Sequence, residues 1–215
     1  MNTLTKTLTL ALVAFSLNTF AQSATEKFQM GMKKGLEMLE SAKGTDGFSS
    51  TANYFDRVAQ AEVKQWTPFY YAGYSNLIAG LTTTDKAIKD QYLDKALSEI
   101  DKADALSPDN SEIYALKGYV QYIKLSIDPQ SRLAMMSASA ASLAKAKALN
   151  PENPRIYLIS GQNIFYTPEA FGGGKAKAKS ILETASAKFA IFKPATPIEP
   201  NWGADRAKEL LAQIK

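Results

Sequence analysis

The chain has 215 residues, contains neither cysteine nor histidine, and carries a formal net charge of +4 at neutral pH. Without these two residue types it can form no disulfide, no thiolate or imidazole metal site, and no Ser-His-Asp or Cys-His catalytic site. Acidic and basic residues are interspersed, without the basic block that nucleic-acid binding requires.

The N-terminus has the pattern of a secretory signal peptide over residues 1–21. A polar start containing Lys6 precedes an apolar run at residues 8–17, and the small residues Thr19 and Ala21 stand just before the expected cleavage site. The apolar run is shorter than the roughly 18 residues that a membrane span needs. We therefore expect cleavage after Ala21, no integral membrane span, and a mature protein that is periplasmic or secreted; a retained N-terminal anchor is the alternative.

An internal repeat runs through the middle of the chain. Residues 106–118 (LSPDNSEIYALKG) match residues 149–161 (LNPENPRIYLISG), which lie 43 residues further on, and the match preserves a proline, a tyrosine and a glycine. Repeats of this length are supersecondary units that bury their apolar faces against one another. Sustained alternation of apolar and polar residues is nearly absent, so the repeats are not predicted to contain strands.

Each repeat is predicted to form a pair of helices. Ser107-Pro108 and Asn150-Pro151 end the second helix of a pair, because proline cannot continue a helix and restricts the residue before it. Asn153-Pro154 then starts the next helix, with asparagine as the cap and proline in the first turn. The four predicted pairs span residues 24–65, 67–109, 111–152 and 154–192, with bends at residues 44–50, 81–86, 126–131 and 167–174.

The C-terminal part is predicted to leave the repeats. Residues 193–203 (KPATPIEPNWG) are interpreted as a proline-rich connector between a helical repeat domain, residues 22–192, and a last helix at residues 204–215. We expect this helix to cap the open end of the repeats, as terminal elements of repeat arrays do. Four of its apolar residues share one face: Ala207, Leu210, Leu211 and Ile214.

The glycines at residues 172–174, followed by Lys175, raise the question of a phosphate-binding loop. A P-loop requires a preceding strand, a glycine at position 169 and a Ser or Thr at position 176. The chain has Glu169 and Ala176 instead, and the preceding segment is predicted to be helical. We interpret the glycines as a tight turn between two helices; the alternative is an anion bound at the N-terminus of the second helix.

The first helix of a pair carries an aromatic residue and then a glycine, as at Tyr114 and Gly118. The second carries spaced alanines ahead of a proline, as at Ala103 and Pro108. This pattern resembles the tetratricopeptide repeat over roughly residues 67–190. The period exceeds the roughly 34 residues of that family and falls in the range of the HEAT repeat, which stays the alternative.

The resemblance implies an all-α fold: a right-handed α-α superhelix of about four helix hairpins plus a C-terminal capping helix. In such a fold the first helices line a concave groove, and small residues let neighbouring helices approach closely. The alternative places the aromatic residues of the first helices in the core. The side chains predicted to face the groove and bind a partner are Tyr70, Tyr74, Leu77, Tyr119, Tyr122, Gln162 and Phe165.

The expected function is a non-catalytic scaffold or adaptor of the cell envelope that binds a peptide or partner protein in the groove. The alternative is a periplasmic carrier of a small molecule with an aromatic pocket. A third hypothesis is a hydrolase that uses paired carboxylates, with Glu99 and Asp101 as candidates. Their i, i+2 spacing argues against it, because it points the two side chains to different sides of a helix. No cofactor, metal or nucleic acid is predicted to bind, and the resemblance allows a homo-oligomer.

Overall fold

The computed structural model describes residues 25–214, and every regular element in that range is a helix. The predicted all-α fold class is therefore confirmed, while the predicted signal peptide lies outside the described residues. The helices are α1 (25–41), α2 (Gly44–Ala61), α3 (Trp66–Thr82), α4 (Lys86–Leu106), α5 (Ser111–Ile127), α6 (Leu133–Leu149), α7 (Pro154–Tyr166), α8 (Lys175–Ile191) and α9 (Ala204–Ala212), with a short 3-10 helix at Glu169–Phe171.

Short polar side chains begin several of these helices. The side chain of Asn153 accepts a hydrogen bond from the backbone N–H of Arg155 at 3.0 Å, and Pro154 occupies the start of α7, as predicted. Asn110 and Asp85 cap α5 and α4 in the same way. Each contact satisfies a backbone N–H group that has no partner within its own helix.

The predicted helix end and the predicted glycine turn are also confirmed. α4 ends at Leu106, directly before Ser107-Pro108. Between α7 and α8, Gly172 and Gly174 adopt φ angles of 85° and 109°, which residues with a side chain rarely adopt. The glycine run is therefore a tight turn between two helices.

The bend of the first helix pair is not where the sequence predicted it. α2 begins at Gly44, so residues 44–50 form its first turns and the chain bends at residues 42–43. The glycines of this segment have low helix propensity and are typical of turns. The buried face of α2, which includes Phe55, outweighs that preference, because most helix stability in proteins comes from packing.

Glycines at equivalent repeat positions bring the two helices of a pair together. A Cβ atom on Gly118 would lie 2.9 Å from the Leu143 side chain of α6, and one on Gly161 would lie 2.7 Å from the Leu182 side chain of α8. Both distances are shorter than carbon atoms tolerate, so only glycine fits without rearrangement. The close approach that the sequence predicted at these glycines is confirmed.

The substitution Gly161→Val is expected to lower the free energy of unfolding by about 1–3 kcal/mol, because Leu182 must leave its position. Urea unfolding followed by helical circular dichroism measures the loss. Gly47→Ala in α2 is the matched control, since its Cβ would meet nothing closer than 3.5 Å and alanine favours helix. Equal stability of Gly161→Val and the parent protein would contradict the packing described.

The hairpins α3–α4, α5–α6 and α7–α8 follow one another, and α3, α5 and α7 together line an inner face. A large core extends from α1 to α7, and a smaller cluster around Leu158, Leu182 and Leu210 joins α7, α8 and α9. α9 buries Ala207 and Leu210 in this cluster, in agreement with their predicted common face. No helix within residues 25–214 has both the length and the apolar character needed to cross a membrane.

Candidate functional site

Residues 193–203, which we name the closing segment, pack against the inner face. The Tyr71 hydroxyl donates a hydrogen bond to the Glu199 carbonyl at 3.0 Å, and the Trp202 indole N–H donates to the Tyr70 hydroxyl at 3.0 Å. These bonds join α3 to residues about 130 positions later in the chain. A segment interpreted from sequence as a connector therefore forms part of the wall of the site.

Arg155 of α7 holds the closing segment from the opposite side. Its side chain is fully buried, donates to the Pro200 carbonyl at 2.5 Å, and pairs with Glu112 of α5 at 2.9 Å. Its guanidinium carbon lies 5.3 Å from the centre of the Trp202 ring. A buried arginine is stable only where acceptors surround it. Arg155 therefore fixes the path of the closing segment and the position of Trp202.

Trp202 separates two cavities on the inner face. Its ring stacks on Tyr74, with ring centres 4.5 Å apart and planes inclined by 22°. One cavity of about 650 Å³, which we name the inner cavity, lies between this stack and α7. A second of about 500 Å³ lies on the side of α1 and α2. Both volumes suit a small molecule, for which sites of roughly 300–1,000 Å³ are usual.

Most of the wall of the inner cavity consists of aromatic and aliphatic side chains. Aromatic rings with polar tips offer a ligand a large contact area and a few hydrogen bonds. The wall includes Tyr74 and Ile78 from α3, Tyr119, Tyr122 and Ile123 from α5, Leu158, Ile159, Gln162 and Tyr166 from α7, and Trp202 and Arg206 beyond α8.

Arg206 of α9 supplies the charge of the inner cavity. Its guanidinium donates to the Gln162 side-chain oxygen at 3.1 Å, to the Tyr166 hydroxyl at 2.7 Å and to a Glu209 carboxylate oxygen at 3.1 Å. No acidic side chain is among the described residues that line this cavity. The wall is therefore apolar with one positive group at the α9 side.

Two tyrosine hydroxyls of the inner cavity, those of Tyr74 and Tyr119, stay protonated at neutral pH. Burial raises the pKa of Tyr74 and of Tyr119 above the ordinary value for a phenol, because the phenolate loses its hydration. The Tyr122 hydroxyl donates to the Asn163 carbonyl at 2.7 Å. Tyr74 and Tyr119 therefore offer a ligand ring faces and neutral hydroxyl groups, and Tyr122 offers its ring.

The seven residues predicted to face the groove divide into three groups. Tyr70 and Leu77 are fully buried in the large core, and the Tyr70 hydroxyl is already bonded to Trp202. Phe165 packs in the cluster with α8 and α9. The remaining four line the inner cavity: Tyr74, Tyr119, Tyr122 and Gln162.

Trp202, Arg206 and Tyr166 also line the inner cavity but were not among the predicted site residues. Trp202 and Arg206 follow the last repeat, and a repeat pattern carries no information about where the following chain returns. Tyr166 lies four positions after Gln162 and thus on the same helical face, so spacing on α7 could have indicated it. For Trp202 the available signal was its rarity, since the chain has two tryptophans.

The carboxylates of the hydrolase hypothesis lie elsewhere. Glu99 pairs with Lys102 at 2.7 Å, and Asp101 pairs with Lys117 at 2.8 Å. Neither carboxylate lines either of the two cavities on the inner face. Both carboxylates belong to α4 and form ion pairs there, with Lys102 of the same helix and with Lys117 of α5.

An outer cleft of about 450 Å³ lies between α6 and α7. Met136, Leu143 and Phe171 contribute apolar walls, and Lys147 stands at its border. Phe171 is 80% exposed, so this cleft is open to solvent along that side. The inner cavity is larger and is walled by several aromatic rings, which makes it the stronger candidate for a ligand site.

No family model and no curated protein matches this chain. Among solved structures, the HusA haemophore from Porphyromonas gingivalis matches it with a TM-score of 0.77 and 31% sequence identity, over 87% of this chain and 92% of that one. The chain belongs to the HusA family. The similarity of this HusA-family protein to the tetratricopeptide repeat stays a resemblance of sequence pattern, since no family model matches the chain.

The comparison bears on two expectations for the HusA-family protein. A haemophore is a carrier rather than an enzyme, and its relationship to the chain agrees with a non-catalytic protein. It also favours the small-molecule carrier, stated above as the alternative, over the scaffold or adaptor.

Proposed function

We propose that this HusA-family protein is an exported, non-catalytic carrier of haem, and that the inner cavity holds the flat macrocycle. The observation that carries the proposal is the cavity of about 650 Å³ between the Tyr74–Trp202 stack and the Arg206 side chain. Its aromatic and aliphatic wall suits a large planar ring. The predicted signal peptide agrees with a carrier that works outside the cytoplasm.

The closing segment weakens the adaptor hypothesis. An extended peptide in the groove would have to lie where Trp202 stacks on Tyr74 and where Glu199 and Pro200 bond to α3 and α7. Ile198 of the same segment is buried in the core. The chain's own residues thus occupy the centre of the inner face and leave two separate cavities, which fit a small molecule better than an extended peptide.

The residue types indicate how the protein holds haem. Haem iron is usually bound by histidine, cysteine, methionine or tyrosine, and the chain lacks the first two. No methionine is among the described residues that line the inner cavity, so tyrosine is the remaining residue type of this kind in its described wall. The same wall presents several aromatic rings to a ligand. We therefore expect stacking on the macrocycle to supply much of the affinity.

Titration of the protein with haem, followed by the Soret absorbance, tests the proposal. Tyr74→Ala combined with Tyr119→Ala is expected to weaken binding roughly tenfold or more, since two aromatic contacts are lost. Tyr92→Ala on the outer helix α4 and Met136→Ala in the outer cleft are the controls, and both should bind haem as the parent protein does. Absence of saturable binding by the parent protein would refute the carrier function.

A further inference from the structure

The inner cavity is electrically asymmetric. Arg206 stands at the end formed by α7 and α9, whereas the neighbouring cavity beyond Trp202 is lined by two carboxylate side chains, Glu40 and Glu199. A ligand with an acidic edge and an apolar edge therefore has one favoured orientation. Its acidic edge points to Arg206, and its apolar edge points to the Tyr74–Trp202 stack.

We propose that Arg206 binds a carboxylate of the ligand and so selects planar macrocycles that carry free carboxylic acid groups. This inference rests on the proposed function. It names the residue that would recognise haem, because haem carries two propionate groups that Arg206 could bind. A guanidinium presents its N–H groups as a planar fork that fits a carboxylate, and charge-assisted bonds of this kind are stronger than neutral ones.

The contacts of Arg206 divide into two that hold it and one that a ligand can replace. Gln162 is 4% exposed, and its oxygen fixes the guanidinium at Nε, while the Tyr166 hydroxyl accepts from Nη2. The third contact, from Nη1, goes to Glu209, whose side chain is 61% exposed. An exposed ion pair contributes little, so a propionate can take the place of Glu209 at small cost.

The position of Arg206 on α9 gives the C-terminal helix a role in recognition. α9 is anchored by Ala207, which directly follows Arg206, and by Leu210 one helical turn further on, and both side chains are fully buried. The packing of these two residues against α7 and α8 fixes the position of α9 and therefore of the Arg206 guanidinium at the cavity. The helix that was predicted to cap the repeats therefore also delivers the cation to the site.

The test compares deuteroporphyrin IX, a diacid, with its dimethyl ester, using the same detergent and the whole protein. Arg206→Gln is expected to weaken binding of the diacid about tenfold or more and to change binding of the ester less than about twofold. Arg206→Lys keeps the positive charge but loses the planar pair of N–H donors. Its affinity for the diacid should therefore lie between that of the parent protein and that of Arg206→Gln. Lys208→Gln, an exposed lysine of α9 that pairs with Asp205, is the matched control and should leave both affinities unchanged.

Two outcomes would overturn the inference while leaving the carrier function intact. One is equal affinity of the parent protein for the diacid and the ester. The other is an equal loss for both compounds in Arg206→Gln, which would indicate a packing role of the side chain. If the parent protein binds neither porphyrin nor haem, the carrier function itself fails, and the inference fails with it.

Discussion

Replacing Arg155 by methionine is expected to lower the free energy of unfolding by about 3–5 kcal/mol, because the change leaves a buried carboxylate without its cation. Glu112 would lose the bond that now joins it to Arg155 at 2.9 Å, and the Pro200 carbonyl would lose its donor. Thermal and urea unfolding followed by circular dichroism measure the effect. The closing segment should also become accessible to proteases, since Arg155 anchors it.

A second substitution separates the lost charge from the lost packing. Glu112→Gln removes the carboxylate, so the double variant Arg155→Met, Glu112→Gln should regain most of the stability that Arg155→Met loses. The ion pair is incompletely bonded, because Glu112 Oε2 and Arg155 Nε lack a protein partner among residues 25–214. A double variant as unstable as Arg155→Met alone would contradict the electrostatic explanation.

The stability lost in Arg155→Met should depend on pH in a definite direction. Burial raises the pKa of Glu112 above its ordinary value of 4.5, although Arg155 lowers it. Without Arg155 the pKa rises further, and a carboxyl with a raised pKa costs stability only once it ionises. The deficit of Arg155→Met relative to the parent protein should therefore be largest at neutral pH and above, and it should shrink as the pH falls through the raised pKa of Glu112. Its charge-dependent part should be gone by about pH 4.5, because the carboxyl group is then protonated in both folded proteins. An equal deficit at pH 4 and pH 7 would exclude the charge as its cause.

The helices were predictable because their signals are local. Asn153 and Pro154 begin a helix through their own side chains, and the residue before Pro108 ends one through a steric clash within the chain. Gly161 marks a close helix contact because the repeat places it opposite the apolar residues of the following helix. The bend near Gly44 was missed for the converse reason, since burial of the α2 face overrides the local preference.

The site was only partly predictable because it depends on contacts distant in sequence. Helical spacing put Tyr70 and Tyr74 on one predicted groove face of α3, but it could not show that Tyr70 is buried in the core while Tyr74 lines the inner cavity. The distinction is made by Trp202, which lies 132 residues after Tyr70 and bonds to its hydroxyl. The spacing of residues within a helix carries no information about contacts with a segment that lies much later in the chain.

Trp202→Ala is expected to weaken haem binding by roughly 30-fold, which corresponds to a hot-spot contribution of about 2 kcal/mol. The variant removes one face of the inner cavity and joins it to the cavity of about 500 Å³ beyond, so that water enters where the macrocycle should stack. Trp202→Phe keeps a ring against Tyr74 but loses the bond to Tyr70. Its affinity should therefore lie much closer to that of the parent protein.

Fluorescence can test whether haem binds near Trp202. The chain has two tryptophans, so Trp66→Phe leaves Trp202 as the sole tryptophan. Trp66 lies at the start of α3 and does not line the inner cavity, so this variant should bind haem normally. Haem in the inner cavity would then quench the tryptophan emission with the same midpoint as the Soret change. A saturating Soret change with unchanged Trp202 emission would contradict binding in the inner cavity.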